Sequence, residues 1–197
     1  MGNHLTTIFC NDISKLEEPR NSYLDILVFD EQQVKEKIKK SKPVAKVIFC
    51  RLNSKQEYFQ NNTLLFQMPE FTDTVIAEKK LYDLSDIGRF MCITIGRYVH
   101  NHFKPVMSSK SEKMDQFVSR EHGLIFLNER QQLCYHDIGT FKQGSTNGTK
   151  LNDIDIVKNR IIKWNQEHFF ALGERLNIIK NNERIMESQF KLRYKKM

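Results

Sequence analysis

The sequence predicts an all-β fold, a sandwich of antiparallel sheets. From residue 45 onward the chain breaks into short apolar runs, AKVIFCRL, TLLFQM, DTVIAE, FMCITIG, GLIFLN, QLCYHDI, HFFALG and RLNIIK, separated by polar or turn residues. No long amphipathic helix lies between them, as the crossovers of a parallel sheet would require. A length of 197 residues, 40% hydrophobic and 28% charged, is enough for one buried core and leaves little for a second domain.

Taken in order, the stretch before about residue 21, MGNHLTTIFCNDISKLEEPRN, has mixed polarity and no sustained period and reads as an arm or loosely packed extension following the surface. YLDILVFD, residues 23–30, has the β-branched and aromatic content of a strand. EQQVKEKIKK follows, with Val34 and Ile38 four apart among charges, and reads as a short helix that Pro43 ends. The eight apolar runs come next. ERIMESQFKLRYKKM, residues 183–197, carries Ile185, Phe190 and Leu192 with no glycine or proline and is expected to be a C-terminal helix flanking the sandwich. The chain thus divides into an N-terminal extension, 1–42, with arm, strand and short helix; a sandwich domain, 43–182, whose pattern is clearest from about residue 90; and a C-terminal helix with a basic tail, 183–197.

Composition excludes several function classes. No stretch approaches 18 uncharged apolar residues, and no charged start leads into an apolar run of the secretory kind, so an intracellular protein, nuclear or cytoplasmic, is expected. Cys10, Cys50, Cys92 and Cys134 stand apart, each in apolar company, and read as reduced buried thiols rather than a zinc or redox site. A net charge of +7 permits phosphate attraction. The lysines and arginines are spread along the chain, though, and no aromatic-interleaved basic motif accompanies them, so a solvated basic surface is the reading and nucleic acid is not an expected partner.

The polar chemistry gathers in loops at strand ends. ITIGRYV ends a strand in Gly96 and Arg97; VSREHG supplies Ser119, Arg120 and His122; GSTNGTKLN supplies Thr146, Asn147 and Gly148. Guanidinium, hydroxyl and amide donors together are what a bound phosphate dianion requires. No nucleophile-and-base pair accompanies them, and neither an enzyme, a metal nor a cofactor is expected.

Gly-Arg at a strand end, then Ser-Arg-x-His, then Asp-Ile-Gly and Ser-Thr-Asn-Gly-Thr-x-Leu-Asn, in that order, resembles the forkhead-associated (FHA) domain family over about residues 90–180. The resemblance implies a β-sandwich that binds phosphothreonine peptides through loops at one end. It implies that Arg97 makes the charge-assisted phosphate contact, for which a guanidinium fork suits better than a lysine. It further implies that the Ser119 hydroxyl bonds the phosphate, with Arg120 able to reach the same anion. Thr146 would line a pocket for the threonine methyl, and Asn147 would hold the peptide main chain. Gly96, His122 and Gly148 would support the site, His122 by hydrogen bonds between loops and Gly148 by a positive φ.

Two insertions depart from the family pattern. YVHNHFKPVMSSKSEKMDQFV lengthens the connection from Arg97 to Ser119, and TFKQG separates DIG from STNGT. They are expected either to add selectivity, with Lys142 contributing charge, or to fold across the site. HNH at residues 100–102 lacks the further ligands of a metal or nuclease site and reads as an accident of the loop. SSKSEK reads as a polar loop tip. MGNHLT places Gly2 and Thr6 where the N-myristoylation pattern wants them, and lipidation at Gly2 would make the protein membrane-associated if a second signal, the basic surface or an acylated Cys10, reinforced it. The expected function is a phosphothreonine-reading adaptor for a phosphorylated partner protein; the alternative is a structural subunit of a larger assembly that uses the sandwich as a phosphate-independent scaffold.

Overall fold

A computed structural model of the chain describes residues 7–17, 27–29, 31–55, 70–108, 111–139, 143–181 and 183–197. Fourteen strands are named among these residues: β1 Ile8–Cys10, β2 Val28–Phe29, β3 Ala45–Lys55, β4 Glu70–Leu81, β5 Phe90–Ile95, β6 Val106–Ser108, β7 Ser111–Met114, β8 Gly123–Leu127, β9 Leu133–His136, β10 Thr149–Leu151, β11 Asp155–Val157, β12 Ile161–Lys163, β13 Phe170–Lys180 and β14 Glu183–Lys196. Two helices, α1 Ser14–Glu17 and α2 Gln32–Lys40, lie in the N-terminal part. The first sheet runs β12-β9-β8-β5-β1-β2, the second β11-β10-β13-β14-β3-β4, and β6 and β7 form a separate pair. Each neighbouring pair of strands is antiparallel.

The main core lies between the two six-stranded sheets. Phe49 of β3 stacks on Phe190 of β14 and on Phe103, and Phe170 of β13 stacks on Tyr135 of β9 with their ring centroids 4.3 Å apart. A second core covers the other face of the first sheet, where Leu124, Phe126, Cys92 and Cys134 meet Ile8, Cys10 and Leu16. This is why GLIFL is apolar without alternation: Ile125 and Leu127 face the main core, Leu124 and Phe126 the second. All four cysteines are buried free thiols, and burial raises their pKa, that of Cys134 to about 11.

The all-β reading and the short helix agree with this architecture. α2 buries Val34, packs Ile38 on the core and is tied at its start by Glu31 to Arg89, 3.0 Å. Three expectations are corrected. The described part of the arm is not loosely packed: Ile8, Phe9 and Cys10 are buried in β1, which pairs with β2 and β5. The expected C-terminal helix is the strand β14, between β13 and β3 in the second sheet, because Phe190, Leu192 and Tyr194 recur every second residue and fit a pleat. SSKSEK is not wholly a loop tip, since Ser108 ends β6 and residues 111–113 belong to β7, which pairs with it. HFFALG and RLNIIK join into one strand, β13, with an irregular register between Leu172 and Arg175. TLLFQM and most of residues 23–30 lie outside the described residues.

Candidate functional site

The three motif loops meet at one end of the sandwich because β5, β8 and the 145–149 segment are fixed at their bases. The Arg97 N–H donates to the Ser119 carbonyl, 3.1 Å, and the Tyr98 N–H to the Arg120 carbonyl, 3.2 Å. That approach requires Gly96: a Cβ there would sit 2.2 Å from the Arg120 carbonyl oxygen, at a φ of +151°. The Ser119 hydroxyl accepts from the Thr146 N–H, 2.9 Å, and donates to Thr146 Oγ1, 3.3 Å. Arg97, Ser119 and Thr146 thus belong to one bonded cluster, in which Ser119 is nearly buried and Thr146 exposed.

Beneath them lies a buried polar network centred on Asp137. Ser145 donates to Asp137 through its N–H and, at 2.6 Å, its hydroxyl, and the Thr149 hydroxyl donates to Asp137 Oδ2, 2.7 Å. Thr149 Oγ1 in turn lies 2.7 Å from the Tyr135 hydroxyl and 3.1 Å from His122 Nε2. His122 Nδ1 accepts from the Ser119 N–H, 3.1 Å, so the proton of a neutral ring sits on Nε2, pointing at Thr149. Burial lowers the His122 pKa more strongly than Asp137, 3.7 Å away, raises it. The ring is a neutral brace between the 119–122 and 145–149 loops. Gly148, at φ +71°, brings the chain against Ile156, whose Cγ2 would lie 2.7 Å from an added Cβ.

The long insertion returns to this end. Arg97 Nε donates to the Val118 carbonyl, 2.6 Å, and Nη1 to Gln116 Oε1, 2.9 Å, while Asn147 Nδ2 donates to the Phe117 carbonyl, 2.9 Å. Arg120 is exposed, with its guanidinium 5.9 Å from the Tyr98 ring, and is not bonded into the Ser119–Thr146 cluster. Lys142 and Gly2 lie outside the described residues. HNH makes structural bonds: Asn101 Nδ2 donates to the Arg120 carbonyl, 2.9 Å, and buried His102 Nδ1 accepts from the Thr94 N–H, 3.1 Å. Lys158, whose Nζ reaches the Thr146 carbonyl at 3.1 Å, also stands at this end with no motif to mark it. No cluster of His, Cys, Asp and Glu suited to a metal ion occurs among the described residues.

Residues 93–170 match the family model for the FHA domain. The segment is an FHA domain. FHA domains are interaction modules that engage phosphopeptides, not enzymes. Among solved structures, the chain is similar to an engineered FHA with a Myc-pTBD peptide, at 19% identity over 79% of this chain and 92% of that one, TM-score 0.39. It is also similar to the yeast Pml1 splicing factor, from a structure of its integration into the RES complex, at 14% identity over 91% and 95%, TM-score 0.44. No curated protein matches the chain in sequence. Among the described residues, no helix is long and apolar enough to cross a membrane.

Proposed function

We propose that the chain is a phosphothreonine-reading adaptor, with Arg97 and Ser119 as the phosphate contacts, Arg120 at their margin, Asn147 on the peptide main chain and Thr146 beside the threonine methyl. The observation that supports this reading is the Ser119 hydroxyl, bonded to Thr146 and carried on the same loop closure as Arg97. Guanidinium, hydroxyl and amide donors converge there on a water-exposed end, where a dianion gains charge-assisted bonds without a large desolvation cost. On binding, Arg97 exchanges the neutral Gln116 for phosphate oxygens, and Asn147 exchanges the Phe117 carbonyl for the peptide. Titration of matched threonine and phosphothreonine peptides tests the reading. The phosphorylated form alone binds, and Arg97→Ala weakens it by about 2–5 kcal/mol; equal affinity of the two forms sinks the proposal.

A second reading, a phosphate-independent scaffold, is favoured by those same internal bonds of Arg97 and Asn147, which leave both side chains engaged without a ligand. It predicts that partners captured by the chain persist after phosphatase treatment.

A further inference from the structure

A cleft of about 530 Å³ opens between the inner face of β3 and β4 and the segment that runs from His102 into β6. Its volume is that of a small-ligand or side-chain pocket. Arg51 lies at its wall, 8% exposed. The guanidinium is fixed by two neutral acceptors, Asn53 Oδ1 at 2.9 Å from Nε and the Val106 carbonyl at 2.9 Å from Nη1, and among the described residues it has no carboxylate partner. A nearly buried cation without a counter-ion is costly, and an anion entering the cleft would offset that cost. Lys104 lines the same cleft, its Nζ 3.3 Å from the Val99 carbonyl and without a carboxylate partner among the described residues, and no acidic residue is among the described lining. Beside Arg51 the β4 part of the lining is apolar at Val75, Ile76 and Ala77, with Val75 53% exposed.

We propose that this cleft is a second recognition site, separate from the phosphate end, that takes the carboxylate of an aspartate or glutamate flanked by aliphatic residues on a partner peptide. The carboxylate meets Arg51 and Lys104, and the aliphatic neighbour covers Val75 and Ile76. A nucleic acid fits the observations less well, since it calls for a track of cations interleaved with stacking aromatics, and the described lining holds two long cations and no Phe, Tyr or Trp. Arg51 is preset for a planar anion because Asn53 and Val106 hold its plane.

The test titrates the full chain with unphosphorylated decapeptides carrying Glu or Asp between Val, Ile or Leu, and with their Gln and Asn counterparts. The acidic peptides bind, and the amide forms bind roughly tenfold or more weakly. Thr74 is the cross-strand neighbour of Arg51, so Thr74→Glu supplies a carboxylate in cis and removes the binding, as does Lys104→Glu on the other side. Both are substitutions at solvent-accessible positions, so loss of binding with an unchanged melting curve is not a folding defect. An excess of phosphothreonine peptide does not displace the acidic one. Equal affinity for acid and amide peptides, displacement by the phosphopeptide, binding only of a single-stranded oligonucleotide, or a rise in mass to a dimer that the two variants abolish would each overturn the proposal. Failure of the acidic peptides while phosphothreonine peptides still bind overturns this site alone and leaves the phosphate end standing.

Discussion

The γ-methyl is all that separates phosphothreonine from phosphoserine, and the contacts proposed for Arg97, Ser119 and Asn147 are satisfied by either. Discrimination therefore rests on apolar contact beside Thr146. Burying one methyl contributes about 0.8 kcal/mol, more if phosphoserine leaves a void, so the preference for phosphothreonine is expected to be several-fold to roughly a hundredfold. Paired titrations of otherwise identical peptides read it directly; equal affinities would remove Thr146 from the site. The residue below, His122, makes a pH prediction. Its ring is needed neutral, with Nδ1 accepting from Ser119, and burial holds its pKa below the ordinary value of about 6.5. Between the folded and unfolded values the unfolded chain binds more protons, so this contribution to stability is complete above about pH 6.5 and is lost as pH falls toward the folded value. His136 and His100 are lowered in the same sense by burial. Denaturant unfolding measured between pH 7.5 and 5.5 should show stability falling with pH, and His122→Gln should make that fall shallower; an unchanged slope would mean the ring does not titrate in this window. That the loops of Arg97, Ser119 and Asn147 meet at one end was legible because ordered motifs mark them. Gln116 and Phe117 were not, because a contact made across an insertion leaves no pattern in the chain. Asp137 was visible in DIG, but its role as the acceptor for Ser145 and Thr149 appears only once β9 and β10 are brought together.

At the scale of elements, β14 shows where propensity misleads. ERIMESQFKLRYKKM is rich in helix formers, and tertiary pairing overrides them because the strand sits between β13 and β3 and packs Phe190, Leu192 and Tyr194 on the main core. The period-two signal, Phe190, Leu192 and Tyr194, was present but short. On the other face of the strand Glu187 meets Lys191, and Asp73 of β4 bonds Arg193 at 2.7 Å, so charges of the expected helix belong to a network that spans the sheet. Leu192→Ala removes a fully buried side chain from the main core and should cost about 2–5 kcal/mol, against less than about 0.5 kcal/mol for Arg184→Ala on the exposed end of the same strand. Urea midpoints of the two variants check it. β10, β11 and β12 went unread for another reason: at three residues each, they are too short to show any period.

At the scale of the whole molecule, the family match and the folding unit have different boundaries. Residues 93–170 contain the motif loops, but the main core also requires Phe9, Val34, Val47, Phe49, Leu81, Phe190 and Leu192, all outside that range. The N-terminal part supports the first sheet twice over. β1 pairs with β5, so a chain without it would leave β5 as an unprotected edge. The segment from β1 to α1 also covers the sheet's outer face, with Leu16 fully buried and its carbonyl 2.8 Å from His136 Nδ1. A fragment of residues 43–197 would expose Leu124, Phe126, Cys92 and Cys134 together, a contiguous apolar face of the kind that drives association. It is therefore expected to aggregate or to melt well below the full chain, although it retains every residue proposed to contact phosphate. Within the full chain, Phe9→Ala should cost about 3–5 kcal/mol while leaving phosphopeptide affinity unchanged in the fraction that remains folded. Calorimetry and peptide titration on the same samples separate the two effects. A 43–197 fragment that stays monomeric, melts with the full chain and binds phosphopeptide equally would show that the first sheet needs no N-terminal cover.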